Sequence, residues 1–314
     1  MRVDGKKPIF AIVGPTASGK TELGVELALR IGNGEVINCD SVQIYERIKI
    51  ATAKPSASEK RGVPHHLISY VAAEINYSVA NWSDDASAAI SEIEARDGTT
   101  ILVGGTGFYL RTLRKPLFEG PRTDKELRER LSAIRLQKGP EHLHDLLGRV
   151  DPVSAKRLFP RDYPRVQRAL EVYFQTGERL SELQPRRIQP PEFANRIRVF
   201  ALNPPRERLY EIINKRSAAH FESGLVEEVD ALRNEGLRDD TNALGSHGYR
   251  RACEYLRGER TLDEAIGKTQ QDVRNYAKRQ LSWFRGEDNI TWLDGFGNEE
   301  TVREKLFELI RGDG

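Results

Sequence analysis

Residues 9–23, IFAIVGPTASGKTEL, carry a short β-branched apolar run straight into a glycine-rich turn and then into helical spacing. Within them GPTASGKT (14–21) matches G-x-x-x-x-G-K-[ST], and it stands between a predicted strand and a predicted amphipathic helix, the context this phosphate-binding loop requires. Gly14 and Gly19 permit the tight backbone path. Successive loop amides and the start of the helix then point at an anion. The candidate diphosphate-binding set is therefore Gly14, Pro15, Thr16, Ala17, Ser18, Gly19, Lys20 and Thr21. Lys20 adds a point charge, and the Thr21 hydroxyl can ligate Mg²⁺. The motif reads polyphosphate without saying whose.

Outward from this loop, further short Ile/Val-rich runs occur at 35–40, 99–105, 197–203 and 289–294, and their length and branching predict buried strands. Helical spacing separates the first three: Leu23, Leu27 and Ile31, then Trp82, Ala86, Ala89, Ile90 and Ile93. The alternation predicts an α/β fold, a parallel sheet flanked by helices with right-handed crossovers. From about Gly120 to Pro191 leucine-rich helical spacing replaces any convincing strand. That predicts an inserted all-helical lobe at 121–195 within a core formed by 1–120 and 196–314. A late helix is predicted through TQQDVRNYAKRQLSWFRG (269–286).

A nucleotide-hydrolysing enzyme with this loop usually places an acid at the end of another core strand. Here the run ILVGG leads to Thr106, Gly107 and Phe108 instead, which lowers the ATPase and GTPase readings. The acid that does end a core strand is Asp40, in NCDSVQIY. In an open parallel sheet ligands bind at that edge, so Asp40 and Thr106 should face the same crevice as the loop. Asp40 could be a magnesium ligand, a general base, or a cap without chemistry, since Asp-Ser is ordinary turn chemistry.

Composition bounds the rest. At 314 residues, with 38% hydrophobic and 31% charged residues, the chain fits a soluble globular enzyme. The net charge of +2 leaves nucleic-acid affinity to local basic patches. The start, MRVDGKKPIF, lacks the apolar core of a signal peptide, and no run approaches the roughly 18 residues of a membrane span, so a cytoplasmic protein is expected. Cys39 and Cys253 give no disulfide framework or zinc set. Adjacent His65 and His66 without a third ligand read as structural.

Residues 268–285 hold Lys268, Arg274, Lys278, Arg279 and Arg285 against one acid, Asp272, with Tyr276, Trp283 and Phe284 interleaved. On a helix, Arg274, Lys278 and Arg285 share one side, while Val273, Ala277, Gln280 and Phe284 share a packing side. One side could dock on the core and the other on phosphates; a solvated charged helix is the plain alternative.

Taken together, GPTASGKT, DSVQIY, TAKPS, VPHHLI, LVGGTGFYL, RVQRALEVYFQTG, GLVEEVDAL and NYAKRQLSWFR resemble the tRNA dimethylallyltransferase family of bacterial type, in order and over nearly the whole chain. The resemblance implies a core like that of P-loop NTPases and transfer of a dimethylallyl group from dimethylallyl diphosphate to the exocyclic amine of the adenosine beside the tRNA anticodon. It also implies Mg²⁺ and a monomeric enzyme working on the anticodon arm. Asp40 becomes the base, Thr106 an orienting group, and Arg216 a second cation on the diphosphate. Contacts with tRNA are implied for Asp40, Ser41, Val42, Gln43, Thr106, Arg128, Gln167, Arg168, Ala169, Leu170, Glu171, Gly248, Tyr249 and Arg250, and for Arg274, Lys278, Arg279 and Arg285 on the basic helix. Such an enzyme must turn its target base outward. The chain departs from the family pattern at Ala51, where Gly is usual, and at LGSHGYRR, which replaces an IGY-type string.

Three rivals share parts of these features: a P-loop kinase with Asp40 as base, a prenyltransferase acting on free adenine nucleotides, and a noncatalytic RNA-binding protein. Preference for ATP over dimethylallyl diphosphate would mark the first. Preference for AMP over tRNA would mark the second, and undetectable diphosphate binding the third.

Overall fold

The computed structural model describes residues 5–186 and 189–312; residues 1–4 of the amino-terminal stretch read above, with 187–188 and 313–314, lie outside them. Six strands, β1 (Ile9–Val13), β2 (Gly34–Asn38), β3 (His65–His66), β4 (Thr99–Gly104), β5 (Ile197–Asn203) and β6 (Ile290–Asp294), form one sheet in the order β3-β2-β4-β1-β5-β6. Every pairing is parallel. The five apolar runs of the sequence are five of these strands. The sixth, β3, has only two residues and no apolar run to announce it.

Side-chain alternation explains why the central strands are buried on both faces. In β1, Ile9, Ala11 and Val13 enter one core with Trp82, Ile90, Val199 and Ala201. Phe10 and Ile12 enter the other with Leu23, Leu27, Val103 and Leu202. The helix Lys20–Ile31 presents Leu23, Leu27 and Ala28 to that second core and stops at Gly32, whose φ of 89° suits only a residue without a Cβ. The helix Val79–Ala95 begins at a Ser78–Asn81 reciprocal cap and buries the face predicted from its spacing.

The chain separates into two compact units, one ending at Arg114 and resuming at Glu192, the other Lys115–Pro191. The second has its own core, with Leu131, Leu143, Leu147, Val166, Leu170 and Leu183. Its limits fall before the expected 121–195 because Phe118 packs against that core. Phe193 belongs instead to the sheet's core, and Arg196 donates to the Lys7 carbonyl at 2.7 Å. The long helix runs Leu262–Arg285, starting seven residues before the expected 269. A capping box, Thr261 with Glu264, marks the true start. Among the described residues no helix is long and apolar enough to cross a membrane.

The short β3 is anchored by charge. His66 Nε2 lies 2.7 Å from Glu35, and Arg96 clasps the same carboxylate at 2.7 and 2.6 Å. The Arg96 bonds, aided by His66 and opposed by burial, pull the Glu35 carboxyl from 4.5 down to about 2. A carboxyl lowered on folding stabilises fully above its unfolded value and loses that effect as pH falls toward its folded value. Glu35→Gln should therefore cost about 1–2 kcal/mol near neutrality, with half-exposed Arg96 limiting the loss. In urea unfolding the gap between parent and variant should close between about pH 4.5 and 2.

Candidate functional site

One cavity of about 440 Å³ opens at the carboxyl edge of the sheet. It is lined by the 16–21 loop, by Asn38 ending β2 and Asp40 beyond it, by Gly104 ending β4, by Arg216 and His220, and by Tyr276 and Gln280 of the long helix. Lys20 and Asp40, widely separated in sequence, thus share one chamber. Their charges interact across it, as do those of Asp40 and Arg216.

The loop has the backbone path its glycines allow, with φ of 143° at Gly14 and 82° at Gly19. Ala17 is also left-handed at 64°, an uncommon conformation for a residue with a Cβ and one the sequence did not signal. Lys20 Nζ donates to the Pro15 carbonyl at 2.5 Å, and Arg216 donates to the Thr16 hydroxyl at 2.9 Å. Neither cation has a carboxylate within ion-pair distance among the described residues. Burial lowers the Lys20 ammonium to about 8, Asp40 opposing and Arg216 adding to the fall. Burial lowers Arg216 too, again opposed by Asp40. Glu22, Glu59 and Lys54 also line the cavity, but at the loop itself two half-buried cations face one carboxylate, a local excess of positive charge that an anion would neutralise.

Asp40 serves as a cap and faces the chamber as well. Its Oδ1 accepts from the Val42 amide at 2.8 Å and the Gln43 amide at 3.3 Å, fixing the carboxylate's orientation. Thr106 stands beside it: its hydroxyl accepts from the Ser41 amide at 3.2 Å, and its own amide donates to the Cys39 carbonyl at 3.2 Å. A Cβ on Gly104 would lie 2.0 Å from that carbonyl, so glycine lets the ends of β2 and β4 meet. The Tyr276 hydroxyl hydrogen-bonds with Thr106, and burial pushes this phenol up.

Other predicted residues are placed less uniformly. Ser41 joins the Thr106 contact, while Val42 and Gln43 line the cavity, as do Ala17, Ser18, Gly19 and Thr21. Gly248 lines it too, against Ala51. Tyr249 is fully buried, donating to Glu228 at 2.9 Å, so its role is internal. In the Lys115–Pro191 unit the side chains of Ala169 and Leu170 are core residues. Gln167 and Glu171 are also buried, bonded to the Arg128 carbonyl and guanidinium respectively, leaving Arg128 and Arg168 partly exposed. On the long helix Lys278, Arg279 and Arg285 are exposed, as is Arg250 on its own helix. Arg274 is instead drawn to the Asn214 side chain, and Phe284 is core.

Sequence reasoning missed His220, His247 and Gln280 as cavity residues. Burial, reinforced by Arg216, lowers His220 to about 4, so it is neutral near pH 7. Its signal was its position one turn beyond Arg216 on the helix Arg206–Glu222. His247, in the departing LGSHGYRR string, packs on Tyr276 with ring centres 5.2 Å apart. Among the described residues no group of three His, Cys, Asp or Glu side chains could hold a metal. Both cysteines are buried and free.

A family model described as IPP transferase matches residues 43–287. A tRNA dimethylallyltransferase of Solibacter usitatus is 42% identical over 303 residues, spanning 96% of this chain and 98% of that protein. One from Geobacter metallireducens is 42% identical over 305 residues, spanning 96% and 97%. Among solved structures, the full-length tRNA isopentenylpyrophosphate transferase from Bacillus halodurans aligns at TM-score 0.71 and 38% identity over 98% of this chain and 96% of its own. A eukaryotic dimethylallyltransferase acting on tRNA aligns at TM-score 0.81 and 27% identity, over 98% of this chain and 79% of its own.

Because the Lys20 ammonium is charged below about pH 8 and neutral above it, affinity for inorganic diphosphate should fall as pH rises through that value. In calorimetry Lys20→Met should bind at least about tenfold more weakly at pH 7, a loss in keeping with one charge-assisted hydrogen bond, and should lack that part of the pH dependence.

Proposed function

The chain belongs to the IPP transferase family, and from that premise we propose that it moves a dimethylallyl group from dimethylallyl diphosphate to the exocyclic amine of the adenosine beside a tRNA anticodon. It is a prenyltransferase with a P-loop NTPase-like fold. The observation that carries the substrate assignment is the single chamber in which Lys20 and Arg216, lacking carboxylate partners, face the Asp40 carboxylate.

Each residue then has a task. The loop amides, Lys20 and Arg216 hold the diphosphate and stabilise the charge that grows on it as the allylic C–O bond breaks. The adenine amine attacks that carbon, and the C–N bond forms as the diphosphate leaves with the bonding electrons. The amine is a weak nucleophile whose proton must go elsewhere. Asp40, its orientation fixed by the Val42 and Gln43 amides, receives it. Thr106 beside Asp40 orients the acceptor end.

The Ser18 and Thr16 hydroxyls are engaged by the Pro15 carbonyl and Arg216, which leaves the Thr21 hydroxyl as the hard oxygen ligand offered at the loop, with no carboxylate cage among the described residues. That donor set suits Mg²⁺, which keeps its waters and takes phosphate oxygens from a substrate. Bound there, the ion would add neutralising charge on the leaving group. Exposed Lys278, Arg279, Arg285 and Arg250, with Arg128 and Arg168, are the side chains through which we assign contacts to tRNA phosphates. That tRNA is the substrate supports a cytoplasmic site of action.

Incubation with unmodified tRNA and dimethylallyl diphosphate should yield isopentenyladenosine by nucleoside mass spectrometry. Asp40→Ala should lower turnover by roughly 10²–10⁴-fold while retaining diphosphate and tRNA binding. Normal turnover by this variant would remove Asp40 as the base. Strong preference for ATP over dimethylallyl diphosphate in competition would favour a kinase instead.

A further inference from the structure

Gln280 joins the two ends of the chamber. Its side chain is buried on the helix Leu262–Arg285. The Oε1 atom accepts from the Thr16 amide at 2.8 Å, within the loop assigned to the leaving group. The Nε2 atom donates to the Gly105 carbonyl at 2.9 Å, one residue before Thr106. One partner can only donate and the other can only accept, so the amide has a single satisfactory orientation. Room for it depends on glycine: a Cβ on residue 105 would lie 2.0 Å from Nε2.

Each partner leads on to a group with an assigned task. The Thr16 hydroxyl accepts from Arg216, and Thr106 takes the Ser41 amide next to Asp40. We infer that Gln280 is a positioning residue for the transfer, setting the separation between the diphosphate loop and the Thr106–Asp40 end through its two hydrogen bonds. The inference rests on the function proposed above for its kinetic consequence, whereas its effect on the loop is independent of the acceptor. Small errors in the spacing of reacting groups are costly when they must be held within contact distance.

Two replacements separate hydrogen bonding from packing. Gln280→Met fills a similar volume and makes neither bond. Gln280→Glu keeps the shape, but its carboxylate, acceptor-only, opposes the Gly105 carbonyl and adds negative charge beside an anion site. Gly105→Ala should displace the Gln280 amide without changing it. All three would be compared with the parent for steady-state transfer to tRNA, binding of inorganic diphosphate by calorimetry, tRNA affinity and thermal unfolding.

The expected result is a fall in kcat of about tenfold or more in Gln280→Met, reproduced by Gly105→Ala, with KM for tRNA within about twofold of the parent. Gln280→Glu should weaken diphosphate binding more than Gln280→Met does. Folded Gln280→Met with kcat and diphosphate affinity within about twofold of the parent would overturn the inference. So would loss of cooperative unfolding in all three variants, which would make the residue a packing element. A parent that binds diphosphate but fails to prenylate tRNA would refute the proposed function, while the Gln280 effect on diphosphate affinity would still be read.

Discussion

Two cations with no carboxylate in ion-pair contact among the described residues are the condition on which the rest of this molecule depends. Lys20 and Arg216 spend their hydrogen bonds on a carbonyl and a hydroxyl, so their charge remains available to a ligand. Burying a cation is unfavourable, and the lowered Lys20 pKa records that cost, with the neighbouring Arg216 adding to it. The parallel sheet makes it possible. It gathers the carboxyl ends of β1, β2 and β4 at one edge, where the loop, Asp40 and Thr106 emerge together.

The opposing carboxylate shows how a local turn can serve chemistry. Its bonds to the Val42 and Gln43 amides belong to an ordinary Asp-Ser turn, and the same bonds fix the orientation of the group. Cap and base, which are alternatives when read from the chain alone, are compatible in space. The long helix then divides its labour by face. Ala277, Gln280 and Phe284 are turned inward, while Lys278, Arg279 and Arg285 remain outside.

Legibility in the sequence followed the range of the interactions involved. The phosphate loop could be read because its geometry is local, with eight consecutive residues between a strand and a helix. Four strands could be read because burial on both faces demands a continuous apolar run, whereas β6, at the sheet's edge with only Leu293 buried, corrects the expectation of a buried strand and was legible from its branched and aromatic residues. β3 could not, since pairing by His65 and His66 depends on β2 and not on their own hydrophobicity. His220 and Gln280 were hidden for a related reason. Their neighbours lie far away along the chain, so only tertiary contact reveals them as cavity residues. The packing of the stretch 167–171 was likewise not visible: the helix turns Ala169 and Leu170 into core, and an internal ion pair occupies Glu171.

The two-residue β3 has a consequence for how these molecules behave in a crowded solution. An outer strand with many free amides and carbonyls is a template on which another polypeptide can add itself, and repeated addition leads to fibrous aggregates. Here that flank of the sheet ends after His65 and His66, with Glu35 and Arg96 placing charge alongside. So brief a rim gives an incoming chain too few backbone partners to extend the ladder, and the molecule is shielded from growth on that side.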